Sequence, residues 1–237
     1  MKKIILFFLS ITLISCTELL HVLDAVSKTQ SVGITDLDIA NGLKEALNKG
    51  VEKEVSKLTQ NDGFLGNEKV KIFFPKDVLS VERKLRNLGL GYLPDKGIEL
   101  LNRAAENAVK EATPIFISAV KNMSITDARK ILMGNDSSAT SYLQLNTSDS
   151  LYRSFYPVVE SSLSKVGADV AWSNMTNKYN AIPFVTKVNS DIKDYVTTMA
   201  LESVFKMILI EEKAIRNNLQ ERSSDLLKKV FALQDKL

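Results

Sequence analysis

Ile39, Leu43, Leu47, Val51 and Val55 recur at every fourth residue, and similar spacings of apolar side chains return through most of the chain that follows. A period near 3.6 residues collects such side chains on one face of a helix and gives a strand no consistent face. No other feature constrains the fold as tightly. Punctuation is sparse: the 237 residues hold five prolines and ten glycines, mostly at joints between periodic segments. The expectation is an all-α fold, a single compact domain of roughly eight to ten helices over residues 35–237. No Pro/Ser-rich linker divides this body, and no fixed-period repeat points to a solenoid.

Local signals place the joints. Thr35 followed by Asp36 and Asp38 reads as a cap with acids in the first turn, opening a helix that ends near Leu58. "NDGFLGN" (61–67) is a turn-rich loop, and "VKIFF" (70–74) before Pro75 is the one stretch with strand character. A helix is expected from Asp77 to Leu88, and another from near Pro94 through residues 98–112. Pro114 interrupts that helix or opens a following one through Val120. Ser124 and Asp127 form a capping-box pattern for a helix that Gly134 ends. "NDSSATSYLQL" and "TSDSLYRSF" read as two further caps, each with its own helix. Pro157 kinks or restarts the second, which runs to about Val166; Ala168–Tyr179, Asp191–Asn217 and Ser223–Gln234 complete the set.

The first residues obey a different rule. Lys2 and Lys3 precede an apolar run, Ile4 to Ile14, which is too short to cross a bilayer, since that needs about 20 apolar residues. The run ends in Leu13-Ile14-Ser15-Cys16, which resembles a bacterial lipobox. The resemblance implies a signal peptide over residues 1–15 and a lipidated Cys16 that begins a tether over residues 16–34. Two or three acyl chains hold a protein at a membrane almost irreversibly. Thr17, where an aspartate resembles an inner-membrane retention signal, favours the outer membrane, facing the periplasm.

Cys16 is the only cysteine and His21 the only histidine, and His21 falls in the tether. With Cys16 acylated, the folded body has neither thiol nor imidazole. Cys–His and Ser–His–Asp catalysis, structural disulfides, and zinc sites built on those ligands are then excluded. Carboxylate, Ser–Lys or Tyr chemistry, oxygen-ligand metals, or no chemistry remain. No cofactor is expected. The chain carries 31 basic and 28 acidic residues, and loss of Lys2 and Lys3 with the leader brings the two nearly into balance. No basic block marks a nucleic-acid partner.

Several blocks, in order "DGFLGN", "LNRAAENA", "TPIFISAVKNMSITDARKIL", "TSDSLY", "YNAIPFV" and "DYVTTMALESVF", resemble an uncharacterised bacterial exported or lipoprotein family, domain of unknown function family 4197. The resemblance covers roughly Thr35 to Phe231 and implies an α-helical, exported protein. It implies no activity and assigns no catalytic residues.

Candidate sites come from the residues themselves. Asn102, Arg103 and Glu106 fall within one helical turn and border an apolar surface, as a polar ligand site or as a structural network. Asp136 and Thr140 lie at a helix start whose backbone N–H groups suit an anion, with capping as the plainer role. Asp149 with Tyr152 and Arg153, and Asp191 with Asp194, offer carboxylates at helix starts for a glycosidase-like reaction. "SSLSK" (161–165) offers a serine and a lysine on a face expected to be solvated. Trp172, Tyr179, Phe155, Tyr156 and Phe184 are aromatics that line an apolar pocket or fill the core. The Asn-x-Ser/Thr matches at Asn122, Asn135, Asn146 and Asn174 are incidental in a bacterial protein. The preferred expectation is a lipid-anchored envelope module that binds or scaffolds without catalysis. The alternatives are a carboxylate-dependent envelope hydrolase and a carrier of lipid or another small apolar ligand. The expected partners are the membrane, through the anchor, and an envelope protein or small apolar ligand.

Overall fold

The computed structural model describes residues 33–236, apart from residues 182, 185 and 186. Asp36–Leu237 form one compact unit; of the segment before it, residues 33–35 have no regular secondary structure. Among the described residues the secondary structure is helical, without a strand. The α-helices are α1 (Asp36–Leu58), α2 (Leu79–Asn87), α3 (Tyr92–Ala108), α4 (Ala112–Lys121), α5 (Ile125–Leu132), α6 (Ser138–Ser164), α7 (Ala168–Asn180), α8 (Ile192–Asn217) and α9 (Asp225–Phe231). Short 3-10 turns precede α2, α4 and α9 and follow α9.

The fourfold spacing explains the packing. Four residues advance a helix by about 40° beyond a full turn, so an i, i+4 stripe winds around its axis. In α6 the buried stripe is Ala139, Leu143, Thr147, Leu151, Phe155, Val159 and Leu163. Across its length it turns by roughly 240°, which no single neighbour can cover. Accordingly α6 is central and packs against α3, α4, α5, α7 and α8. In α8 a matching stripe runs through Ile192, Val196, Ala200, Val204, Ile208, Glu212 and Arg216. The two helices are antiparallel: Thr140 meets Glu212 at one end and Tyr156 meets Asp191 at the other. On α1 the five expected apolar residues are all buried, against α4, α5, α8 and α9. Gly42 lets α9 approach, since a Cβ there would come within 2.7 Å of Val230.

Three local expectations change in the folded chain. The two cap patterns beginning at Asn135 and Thr147 lie within or before one helix, α6. Thr147 and Ser148 donate their hydroxyls back to the Leu143 and Gln144 carbonyls, so the would-be caps join the helix interior. α6 also runs through Pro157 without a restart; the proline is exposed, so water can reach the Arg153 carbonyl that loses its helical donor. Residues 71–75 have no regular secondary structure and pair with no strand among the described residues. Pro114 opens rather than interrupts: it lies in the first turn of α4, where its missing N–H costs nothing.

Candidate functional site

Asn102 explains how the 71–75 segment is held without a sheet. Its amide donates to the Ile72 and Ile98 carbonyls and accepts from the Ile72 N–H, at 2.7–2.8 Å, and the side chain is fully buried. It therefore supplies both bonds that a neighbouring strand would. α8 completes the clamp: the Tyr195 hydroxyl donates to the Phe73 carbonyl at 2.9 Å, and the Lys206 ammonium to the Lys69 carbonyl at 2.6 Å. One turn on from Asn102, the buried Glu106 carboxylate accepts from the Phe64 and Leu65 N–H groups and pairs with Arg103 at 2.7 Å. Arg103 reaches Asp62 as well. The trio thus holds residues 62–74 against α3, with the polar atoms of Asn102 occupied by backbone.

The start of α6 does bind an anion, one from the same chain. The Glu212 carboxylate accepts from the Ala139 and Thr140 N–H groups at 2.9 and 2.8 Å and from the Thr140 hydroxyl at 2.7 Å. Asp136 is exposed in the preceding turn, where Asn135 accepts from Ser137 and Ser138.

The aromatics separate. Phe155 is fully buried in the α6 stripe, and Phe184 is fully exposed. Tyr156 lies half-buried beside α8, its hydroxyl donating to Asp191 at 2.9 Å. Trp172 is buried on α7; its indole N–H donates to the Asn189 carbonyl and its ring stacks on Phe74 with centroids 6.2 Å apart. The Tyr179 side chain, Cys16, His21 and the tether to residue 32 lie outside the described residues.

Trp172 and Phe74 form one wall of a pocket of about 400 Å³ between α2, α3, α7 and the start of α8. Its floor comes from Pro94, Gly97, Leu100 and Leu101 of α3, and Met175 of α7 adds a flexible thioether. Val81 and Leu85 project from α2, which has no fully buried residue and serves as a roof packed against α3. Among the described lining side chains only Glu82 and Lys96 are charged. Gly97 makes the wall possible, because a Cβ there would lie 2.6 Å from Cζ of Phe74. Sequence reasoning reached Trp172 but none of the α2 and α3 residues. The available signal was Val81 and Leu85, four apart on a helix otherwise rich in charge.

A second, polar cleft gathers Tyr152, Tyr156, Asn189, Asp191 and Asp194. Asp191 caps α8, accepting from the Lys193 and Asp194 N–H groups, and Asp194 accepts from the Tyr152 hydroxyl at 2.6 Å and from Asn189 at 2.8 Å. The Asp194 hydrogen bond, helped by burial, pushes the Tyr152 pKa up to about 12. Both carboxylates are engaged by neighbouring donors. Asp149 and Arg153 are exposed on α6, as are Ser161 and Ser164 of the 161–165 stretch, and Lys165 is exposed just after the helix. Among the described residues no three acidic or other metal-ligating side chains converge.

Fold and cavity together define a class: a compact helical unit, Asp36–Leu237, with an apolar pocket beneath a thin helical roof. The chain belongs to the family described as "Protein of unknown function (DUF4197)", which matches residues 33–232. No curated protein and no solved structure matches it significantly.

Proposed function

We propose that this protein is a non-catalytic binding module of the bacterial cell envelope, anchored by lipid at Cys16, which takes a single apolar chain into the pocket beneath α2. The pocket itself carries the reading. Its volume of about 400 Å³ falls within the range of small-molecule sites, about 300–1,000 Å³. Its lining is apolar except at Glu82 and Lys96, so it rewards a hydrocarbon ligand and leaves a buried polar group unmatched. Binding is favoured over carboxylate-dependent hydrolysis because Asp191 and Asp194 already accept from Tyr156 and Tyr152.

Calorimetry of the full chain with saturated fatty acids of increasing length tests this. A buried methylene is worth about 0.8 kcal/mol, so affinity rises about fourfold per carbon until the chain outgrows the pocket, with a negative heat-capacity change. Binding without chain-length dependence, or none at all, contradicts the proposal.

A further inference from the structure

The turn between α2 and α3, "NLGLGYLP" (87–94), projects large apolar side chains into solvent. Leu88 is 73% exposed and Tyr92 65%, and Leu90 and Leu93 are exposed beside them. Elsewhere exposed apolar residues such as Leu37, Ile117 and Leu145 are scattered along the chain, which is ordinary for a protein surface. Here four lie within six residues, and a concentration of that kind marks an interaction surface. Local backbone geometry holds them there. Gly89 is in the left-handed region, at φ 75°, and the Leu90 N–H donates to the Leu85 carbonyl at 2.9 Å in a Schellman closure of α2. The closure fixes the turn from which Leu88 and Leu90 project.

The surrounding charge names the partner. Lys76, Arg83, Lys84 and Arg86 are exposed on or just before α2. Arg86 pairs with both Glu82 and Asp95, a trio with one net negative charge, whereas the three cations Lys76, Arg83 and Lys84 make no ion pair among the described residues and leave the surface positive on balance. Apolar side chains at a turn, a tyrosine among them, with exposed cations on and just before the preceding helix, match a bilayer surface bearing anionic headgroups. We infer that the α2–α3 turn inserts into the interface of an anionic phospholipid membrane, to a depth of about 5–10 Å. This contact is additional to lipidation and independent of what fills the pocket. Because Leu93 also lines the pocket, insertion sets the pocket's edge against the hydrocarbon.

Local quenching tests the contact without confusion from the N-terminal attachment. In the full chain, Trp172→Phe removes the only native tryptophan and Leu88→Trp places a reporter at the tip. On vesicles of phosphatidylglycerol and phosphatidylcholine with brominated acyl chains, its emission shifts to the blue and falls about twofold or more. A reporter introduced by Leu145→Trp on α6 is quenched far less. Phosphatidylcholine alone, or Lys76→Glu with Arg83→Glu and Lys84→Glu, weakens the effect at position 88. Equal quenching at both reporters, none at position 88, or indifference to anionic lipid overturns the inference. Hydrogen exchange over residues 83–93 of the unsubstituted chain provides a second reading: protection on anionic vesicles supports insertion and unchanged exchange contradicts it. Fatty-acid calorimetry reads the pocket alone, so failure here leaves that result standing, and the reverse also holds.

Discussion

Glu212 closes one helix while Arg216, a turn further along α8, closes another. The Glu212 carboxylate accepts the first N–H groups of α6, and Arg216 donates to the Ile131 and Leu132 carbonyls at the end of α5. The two are joined at 3.0 Å with side chains 6% and 1% exposed. Each helix end meets the charge that its dipole favours, and each charge has its counter-ion.

Breaking this pair is therefore costly. Arg216→Met leaves the Glu212 carboxylate buried without its cation and the Leu132 carbonyl without its donor, while Ile131 keeps the Gly134 N–H. The expected loss is about 3–5 kcal/mol, read as a lowered urea midpoint. A midpoint within error of wild type would show that the network contributes little.

Asn102→Ala removes both backbone partners of Ile72 at a fully buried position. A buried donor and acceptor left unmade cost about 1–3 kcal/mol each. Hydrogen exchange at the Ile72 amide should accelerate well beyond the change at amides within α6. Uniform acceleration across the chain would mean that the segment opens only with global unfolding.

Gly97→Ala puts a methyl group where Cζ of Phe74 lies, 2.6 Å from the new Cβ. Phe74 must shift against Trp172, and overpacking of this kind costs about 1–3 kcal/mol. The variant is expected to bind fatty acids more weakly and to shift the Trp172 emission. Unchanged emission would place Phe74 elsewhere in solution.

The Tyr152 phenol has a pKa pushed up to about 12 by the Asp194 carboxylate. A raised phenol pKa means that folding favours the neutral form. That contribution is whole below the unfolded value of about 10 and disappears as pH rises from there through about 12. In an absorbance titration Tyr152 should ionise late, and Asp194→Asn should bring it back toward the ordinary range. A titration identical in the two proteins would separate Tyr152 from Asp194.

Much of the fold was legible because α1, α6 and α8 each repeat apolar residues at fourfold spacing. Long-range relationships were not. "TSDS" carries the side chains of a cap, yet Thr147 and Ser148 bond backward within α6, a choice set by the packing of Leu143 and Leu151 on either side. "VKIFF" has the composition of a strand, but its partners are side chains of two helices, the Asn102 amide thirty residues away on α3 and the Tyr195 hydroxyl on α8. Thr140 belongs to an anion site whose anion, Glu212, is seventy-two residues distant. The pocket draws on α2, α3 and α7 together, and only Trp172 announced itself by residue type.

Trp172 is the only tryptophan in the chain and stands in the pocket wall, so it reports occupancy directly. The full chain should be titrated with a brominated fatty acid, alongside an Ala171→Phe variant that fills the pocket from α7. A ligand seated beneath α2 predicts saturable quenching of Trp172 that weakens at least tenfold in affinity, about 1.4 kcal/mol, in the filled variant. Quenching that never saturates, or that is the same in both proteins, would contradict the pocket as the binding site.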